Sequence, residues 1–413
     1  MDEKYTVVAF EIPPIDDPKC TNVRNFQIKE LDEKKSQVEK AKGLYDKPND
    51  KDPKRFYYVI RQFEHASTFR QEVHLKYKTP NVSNAWLKAY ELFTHYNLFP
   101  TEPTDKFVYF DNAAFPGSFI LAAWHLVHTK CNIKDFQWHG SSLLSSEEQK
   151  SEKGPLEDKY KLYENYPDNW LMTEDNDGDV TSWENQKAFE DVLGGTVDLY
   201  TSDLGFDVSQ DYNKQEELHA HANLGQVITA LVVLKKKGNM VTKQYSYFEP
   251  FTVSLMGLMT MVFDKVEICK PMFSKSGNSE TYLVGLGYKG NDLEVTRLLI
   301  GRLKDWSLKP LVTKKCLGNT FLSSIINSQK HFSNAQVIKL TDTVSEYNRF
   351  VKSKKTDRKH ISDTNKFKEQ NLNDLEKWIA ANPMEELPGD KRLRVKEVLA
   401  WNPSGNSGRG RGR

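Results

Sequence analysis

Between Phe107 and Tyr288 the chain alternates short apolar runs of strand character with longer stretches of helical periodicity, and this alternation narrows the choice of fold most. Phe107 to Asp111 is expected as a strand, Gly117 to His128 as a helix and Phe136 to Leu144 as a second strand. After a long polar insertion, a strand at Val197 to Asp203, a helix at Glu216 to Leu234 and a strand at Asn239 to Gln244 repeat the unit. A helix over Phe251 to Phe263 then leads to an antiparallel pair, Lys265 to Cys269 with Thr281 to Tyr288. The expectation is an α/β fold of doubly wound type, its sheet parallel with one antiparallel strand.

Charged residues sit at the ends of three of these runs. Asp203 closes Val197, Leu199 and Tyr200; Lys243 closes Met240 and Val241; Glu280 opens Tyr282, Leu283 and Val284. With the first two strands parallel and the third antiparallel beside them, all three residues fall on one edge of the sheet, the edge at which open α/β sheets bind ligands. A helix is expected from Ser83, capped by Ser83 or Asn84, with Ala85, Leu87, Leu92 and Phe93 as an apolar stripe around Trp86, and it carries a fourth charge, Lys88. Taken singly, each of the four would be a surface salt-bridge partner.

The strand ending at Asp111 runs into Asn112-Ala113-Ala114-Phe115-Pro116-Gly117-Ser118-Phe119 and then a helix. Small side chains let backbone approach a ligand there, and the helix N-terminus offers unpaired N–H groups to a carboxylate. Further on, Asp175-Asn176-Asp177-Gly178-Asp179-Val180-Thr181 forms an acidic turn; Gln186 stands where a calcium-binding EF-hand loop would need glutamate.

Lys88, Asp203, Lys243 and Glu280 resemble the Lys-Asp-Lys-Glu tetrad of RNA ribose 2′-O-methyltransferases. The fragments Asn84-Ala85-Trp86-Leu87-Lys88, Tyr200-Thr201-Ser202-Asp203-Leu204-Gly205, Asn239-Met240-Val241-Thr242-Lys243 and Asn278-Ser279-Glu280-Thr281-Tyr282 follow in that family's order. Over about residues 80 to 290 the chain looks like the FtsJ/RrmJ-like family. The series Trp138, Leu143, Asp158, Trp170 and Asp175 to Asp179 looks like its Adrift-type cap 2′-O-methyltransferases of eukaryotes and large DNA viruses. The resemblance implies a Rossmann-like methyltransferase sheet dependent on S-adenosyl-L-methionine. It also implies catalytic roles for Lys88, Asp203, Lys243 and Glu280, and cofactor contacts from Asp111, Ala114, Phe115, Pro116, Gly117, Ser118, Asn176, Asp179 and Asp203, with no metal. In the family the loop after the first strand carries Pro-Gly-Gly-Phe; here Phe115 and Ser118 replace expected glycines, and Phe115 is placed to narrow the methionine pocket. Asp179 would accept a hydrogen bond from the adenine amino group.

A ribose 2′-hydroxyl is a weak acid, so methylating it requires proton removal and in-line placement. Lys243 is the candidate general base. A lysine accepts a proton only when neutral, a form favoured by the neighbouring Lys88 charge and by partial burial, with Asp203 and Glu280 orienting the two amines. The resemblance further implies the capped mRNA 5′ end as substrate, methylated at the first or second transcribed nucleotide, and capping or transcription machinery as partners. A ribosomal- or transfer-RNA 2′-O-methyltransferase is the near alternative; an inactive RNA-binding or scaffold protein, favoured by Phe115 and Ser118, is the distant one. A dinucleotide-dependent oxidoreductase would need a Gly-x-Gly-x-x-Gly loop, and Ser141-Ser142 and Ser145-Ser146 lack the context of a hydrolase nucleophile. His219 and His221 diverge on a helix and make a poor metal pair, and His125 and His128 have no evident carboxylate partner.

The 413 residues carry a net charge of +1, so any affinity for RNA must come from local segregation of charge. Lys214, Lys270, Lys275 and the basic run Lys352 to Lys368 are candidates for phosphate contact, Arg409, Arg411 and Arg413 for a flexible cationic tail, and Tyr245, Tyr247 and Phe248 are aromatic rings close to Lys243. No stretch reaches the ~18 apolar residues of a membrane span, and the start of the chain lacks the pattern of a secretory signal, so a cytoplasmic or nuclear, non-secreted protein is expected. The four cysteines, Cys20, Cys131, Cys269 and Cys316, lie far apart and are expected as reduced thiols. The expected organisation is an N-terminal extension over 1–80 with a solvated, charged stretch from Lys29 to Arg55, a Rossmann-like domain over 81–290, a helical C-terminal subdomain over 291–400 and a disordered Gly/Arg tail over 401–413. Within the C-terminal part, helical, amphipathic stretches are expected near Leu293 to Leu303, Thr320 to Ile326 and Asp342 to Phe350.

Overall fold

A computed structural model describes residues 7–16, 23–61, 66–144, 157–172, 177–206, 208, 211–275, 277–290, 293–352, 369 and 372–398. The basic run from 353 to 368 and the Gly/Arg tail lie outside the described residues. In chain order the elements are β1 (Val8–Ile12), α1 (Lys29–Lys51), α2 (Pro53–Arg61), α3 (Ala66–Tyr77), α4 (Asn84–His95), β2 (Thr104–Asn112), α5 (Ser118–Lys130), β3 (Ile133–Ser141), α6 (Leu162–Asn165), α7 (Trp183–Leu193), β4 (Val197–Ser202), α8 (Gln215–Val233), β5 (Leu234–Gln244), α9 (Pro250–Val262), β6 (Phe263–Lys270), β7 (Thr281–Tyr288), α10 (Leu293–Lys304), α11 (Lys314–Leu317) and α12 (Asn319–Lys352). The seven strands lie in the order β1-β6-β7-β5-β4-β2-β3.

Strands β3, β2, β4 and β5 are parallel neighbours, and β7 runs antiparallel between β5 and β6, as the sequence pattern required. One strand was not expected: β1, from the N-terminal segment, adds antiparallel to the outer edge of β6. The chain passes from β2 outward to β3 and then returns to place β4 on the other side of β2, so the strand order reverses between β2 and β4. A crevice opens outside the carboxyl ends of such a pair.

Alternation along the strands divides the core in two. Val108, Phe110, Tyr200, Met240, Ile268 and Leu283 face the layer built by α7, α8 and α9, together with buried residues of α1, α10 and α12. Phe107, Tyr109, Leu199, Val241, Tyr282 and Val284 face the layer of α3, α4 and α5.

Two expectations are corrected, for the Lys29 stretch and for Cys316. The charged stretch beginning at Lys29 is one 23-residue helix rather than a solvated helix and loop. It buries Leu31, Val38 and Ala41, a narrow stripe spaced 7 and 3 residues apart, on the remainder of the core. The stretches Thr320 to Ile326 and Asp342 to Phe350 belong to a single 34-residue helix, α12, because its intervening residues Phe332 and Leu340 are also buried. Cys316 is disulfide-bonded rather than a thiol, while Cys131 and Cys269 are free.

The far C-terminal residues pack on the α4 layer. Trp378, fully buried, lies among Phe69, Phe273 and Tyr90, and its indole N–H donates to Glu91 Oε2 at 3.0 Å. The Glu91 carboxylate also accepts from the Met272 N–H at 3.0 Å. Glu91 therefore ties α4, the helix that carries Lys88, to the turn between β6 and β7 that leads to Glu280. Burial pushes its carboxyl up to about 7, against the bonds from Trp378 and Met272. Glu216, also pushed up to about 7 by burial, accepts the Phe248 and Glu249 N–H groups in the same way at the start of α9.

Truncating Trp378 to alanine should cost about 3–5 kcal/mol of unfolding free energy in a denaturant titration of the whole chain. An unchanged midpoint would show that the 372–398 segment lies outside the core. For Glu91, the native state keeps a proton between pH 4.5 and about 7 that the unfolded chain has already released, so stability falls as pH rises through that window. Glu91→Gln should flatten the fall, leaving the share due to Glu216, when unfolding is followed at several pH values.

Candidate active site

Asp203 occupies the first position after β4, Lys243 the penultimate position of β5, and Glu280 the position before β7. The register sets Ser202 beside Thr242 and Lys243 beside Tyr282, which brings the three charges to one edge. Lys88 reaches them from the first half of α4. That helix is held at its start by Ser83, whose hydroxyl accepts from the Trp86 N–H at 3.0 Å and donates to Ser118 Oγ at 2.8 Å, joining the first turns of α4 and α5.

The four groups form one connected cluster. Lys88 Nζ lies 3.4 Å from Asp203 Oδ2 and 3.1 Å from Glu280 Oε1, and Lys243 Nζ lies 3.2 Å from Asp203 Oδ1. Lys243 Nζ also donates to the Asp203 carbonyl at 2.8 Å, and the Tyr282 hydroxyl donates to Asp203 Oδ1 at 2.7 Å. Lys88 is 6% exposed and Lys243 8%. Such burial is tolerable because the two positive and two negative charges are mutually paired. Burial opposes the charge of Asp203, but Lys243, Lys88 and the Tyr282 hydroxyl outweigh it and hold its pKa below the usual carboxylate value. Glu280 is likewise held down, burial being outweighed chiefly by Lys88 and Lys243.

Gly205 leaves room for this arrangement. A Cβ there would stand 2.8 Å from Lys243 Nζ and 2.6 Å from the Tyr245 hydroxyl, so a larger residue would displace the amine.

The candidate cofactor residues from Asp111 to Ser118 run from the end of β2 to the start of α5. Asp111 is 2% exposed, and its Oδ1 accepts from Thr201 Oγ1 at 2.6 Å, which ties the end of β2 to β4. Burial raises its carboxyl well above the usual range; the Thr201 bond opposes this and Asp203 adds to it. In the following loop the Ala114 N–H donates to the Ser141 carbonyl, and the Phe115–Pro116 peptide is cis. The Phe115 ring packs on Trp170 at 4.9 Å and Tyr163 at 6.2 Å, aromatic residues of the long insertion.

Gly117 takes φ +107° and caps α5 without a side chain, where a Cβ would meet Leu162 at 2.6 Å. The first-turn amides, beginning at Ser118, thus have no side-chain acceptor from the cap residue. Asp179 is half-buried and accepts from Thr181 N–H and Oγ1 through Oδ1, both at 2.8 Å. A helix terminus without a side-chain cap suits a carboxylate, and a half-buried Asp179 suits an amino-bearing base, so these residues fit S-adenosyl-L-methionine. Asn176 lies outside the described residues.

Other residues near the cluster carried weaker signals. Lys270, a candidate phosphate contact, donates instead to Ser274 Oγ, to both oxygens of Asn278 and to the Glu280 carbonyl, which shapes the turn that presents Glu280. Burial lowers its pKa to about 7, with Glu280 opposing and Lys88 assisting. Lys214 stands 3.9 Å from Asp211, and Lys275 is exposed. Tyr247 and Phe248 belong to the core, the Tyr247 hydroxyl donating to Ser328, whereas Tyr245 lies beside the cluster. Tyr282 and Glu91 escaped sequence reasoning, since each reads as an ordinary strand or helix residue until its partner is known. Among the described residues no helix is long and apolar enough to cross a membrane.

Residues 81–288 match the FtsJ-like methyltransferase family. Among curated proteins the chain is 40% identical over 245 residues to a probable methyltransferase of African swine fever virus, covering 56% of this chain and 55% of that one. It is 28% identical to cap-specific mRNA (nucleoside-2′-O-)-methyltransferase 2 of Mus musculus, over 66% of this chain and 36% of that one. To the protein of the same name in Danio rerio it is 30% identical, over 58% and 33%. The chain thus spans about half the length of the viral relative and about a third of the animal ones.

Proposed function

Because the chain belongs to the FtsJ-like methyltransferase family, we propose that it methylates a ribose 2′-hydroxyl of capped mRNA, at the first or second transcribed nucleotide, with Lys243 as general base. The observation that carries this reading is the buried Lys88–Asp203–Lys243–Glu280 cluster at the carboxyl edge of the sheet, on which the uncapped N-terminus of α5 also lies. S-adenosyl-L-methionine, bound along the crevice, would supply an electrophilic methyl group. Gly117 and the amides beginning at Ser118 would receive its carboxylate, and Asp179 its adenine.

Lys243 has the geometry of a proton acceptor. A neutral lysine amine has two N–H bonds and one lone pair. The Asp203 carboxylate and carbonyl accept in two directions, at 3.2 and 2.8 Å, which leaves the lone pair for a hydroxyl proton. Lys88 lies against Asp203 and Glu280, and by balancing their charge it keeps Asp203 available to Lys243. A positioned base of this kind contributes about 10²–10⁴-fold to rate. The capped substrate is supported by the relatives named for cap-specific activity, whose similarity extends over more than half of this chain.

The test is transfer of labelled methyl to short RNAs bearing a methylated cap, an unmethylated cap or a 5′-triphosphate, with the product nucleoside identified. The expected product is a 2′-O-methylated first or second nucleotide on capped RNA alone. Equal transfer to triphosphate RNA, or a base-methylated product, would refute the cap reading.

A further inference from the structure

Phe206 is a large apolar ring left 50% exposed immediately after Gly205. It lies parallel to the His219 imidazole, with ring centroids 3.9 Å and planes 14° apart, and the imidazole packs in turn on Tyr245 at 4.4 Å and 51°. His219 is fully buried and Tyr245 is 7% exposed, so three rings run from solvent to the floor of the site. The inner end of this stack adjoins the charge cluster, because the space at Gly205 is bounded by both the Tyr245 hydroxyl and Lys243 Nζ.

The middle ring is fixed. His219 Nε2 accepts from the Phe206 N–H at 3.2 Å, which places the ring proton on Nδ1, and Nδ1 donates to the Gln215 carbonyl at 2.8 Å. Burial holds the imidazole pKa at about 4, with the bond to Gln215 opposing and the Lys243 charge assisting. His219 therefore offers Phe206 a rigid, neutral backing and grips its backbone as well. The exposed ring adds little to the core, yet it is held flat one residue along the chain from Gly205, which abuts Lys243 Nζ. Aromatic side chains so placed next to single-stranded RNA bind bases by stacking, whatever the base, since every base has a π face.

We propose that Phe206 is the platform on which a nucleobase of the acceptor RNA stacks, at or next to the nucleotide whose ribose is methylated, with His219 and Tyr245 as its backing. The inference rests on the ribose-methylation reading for its substrate and adds the residue that sets the ribose in front of Lys243. A stack of this kind selects an unpaired strand and tolerates any base, complementing whatever recognises the 5′ end.

The experiment uses the full chain and capped RNAs with 2-aminopurine at the first or second nucleotide, bound in the presence of S-adenosylhomocysteine, to compare wild type with Phe206→Ala, Phe206→Leu and Phe206→Trp. Affinity for S-adenosylhomocysteine reports whether each variant retains its fold. The expected result is quenching of 2-aminopurine by wild type and Phe206→Trp, its loss in the alanine and leucine variants, and about tenfold weaker RNA binding in those two. KM for RNA should rise in proportion while kcat changes less. Wild-type quenching and affinity in Phe206→Ala and Phe206→Leu would overturn the proposal, even if methyl transfer is found. Phe206-dependent quenching with no methyl transfer in wild type would support the stack and remove the ribose-methylation reading instead.

Discussion

Asp203 is the group on which the rest of the site depends. Its carboxylate stands between two ammonium groups and under a tyrosine hydroxyl, and its own carbonyl takes a further bond from Lys243. Removing one partner from such a buried set typically costs 3–5 kcal/mol, because the remaining charges lose their compensation. The sheet meets this constraint with four separate pieces of chain: the ends of β4 and β5, the start of β7 and the first half of α4. None of these can shift far without exposing an unpaired charge, and that rigidity holds the amine of Lys243 in place.

The surrounding structure keeps the four pieces in register. Ser83 locks the first turn of α4 to that of α5, and Glu91 binds the same helix to the β6–β7 turn and to Trp378. Lys270 closes the turn from the other side. On the opposite face of the sheet Lys35 of α1 reaches Glu217 and Glu249, at 3.1 and 2.7 Å, linking the N-terminal helix to α8 and to the start of α9. Segments from both ends of the chain thus brace the central sheet.

Much of this was legible in the sequence because it follows from local pattern. The parallel strands and the antiparallel pair are short apolar runs bounded by turns, and once their order is given, Asp203, Lys243 and Glu280 must share an edge. What the sequence concealed depends on tertiary partners. The apolar stripe of α1 is too sparse to stand out among its charges and gains meaning only against the remaining core. The continuity of α12 comes from Phe332 and Leu340 finding buried places. The docking of Trp378 on Glu91 joins residues distant in sequence, and nothing in its own stretch of chain marks Cys316 as bonded. Phe206 reads as a loop residue and His219 as one of many helix residues; only their parallel contact singles them out.

The central claim, that the cluster serves to hold Lys243 as a proton acceptor and is not merely a structural ion-pair network, is tested most directly by single-turnover methyl transfer in Lys243→Ala, with cofactor affinity and unfolding midpoint measured on the same preparation. The account predicts transfer slowed by at least about 10²-fold, with S-adenosyl-L-methionine affinity retained and unfolding still cooperative, its midpoint lowered by the loss of a buried charge partner. Transfer within a few-fold of wild type, or a loss explained by failed cofactor binding or unfolding, would contradict it.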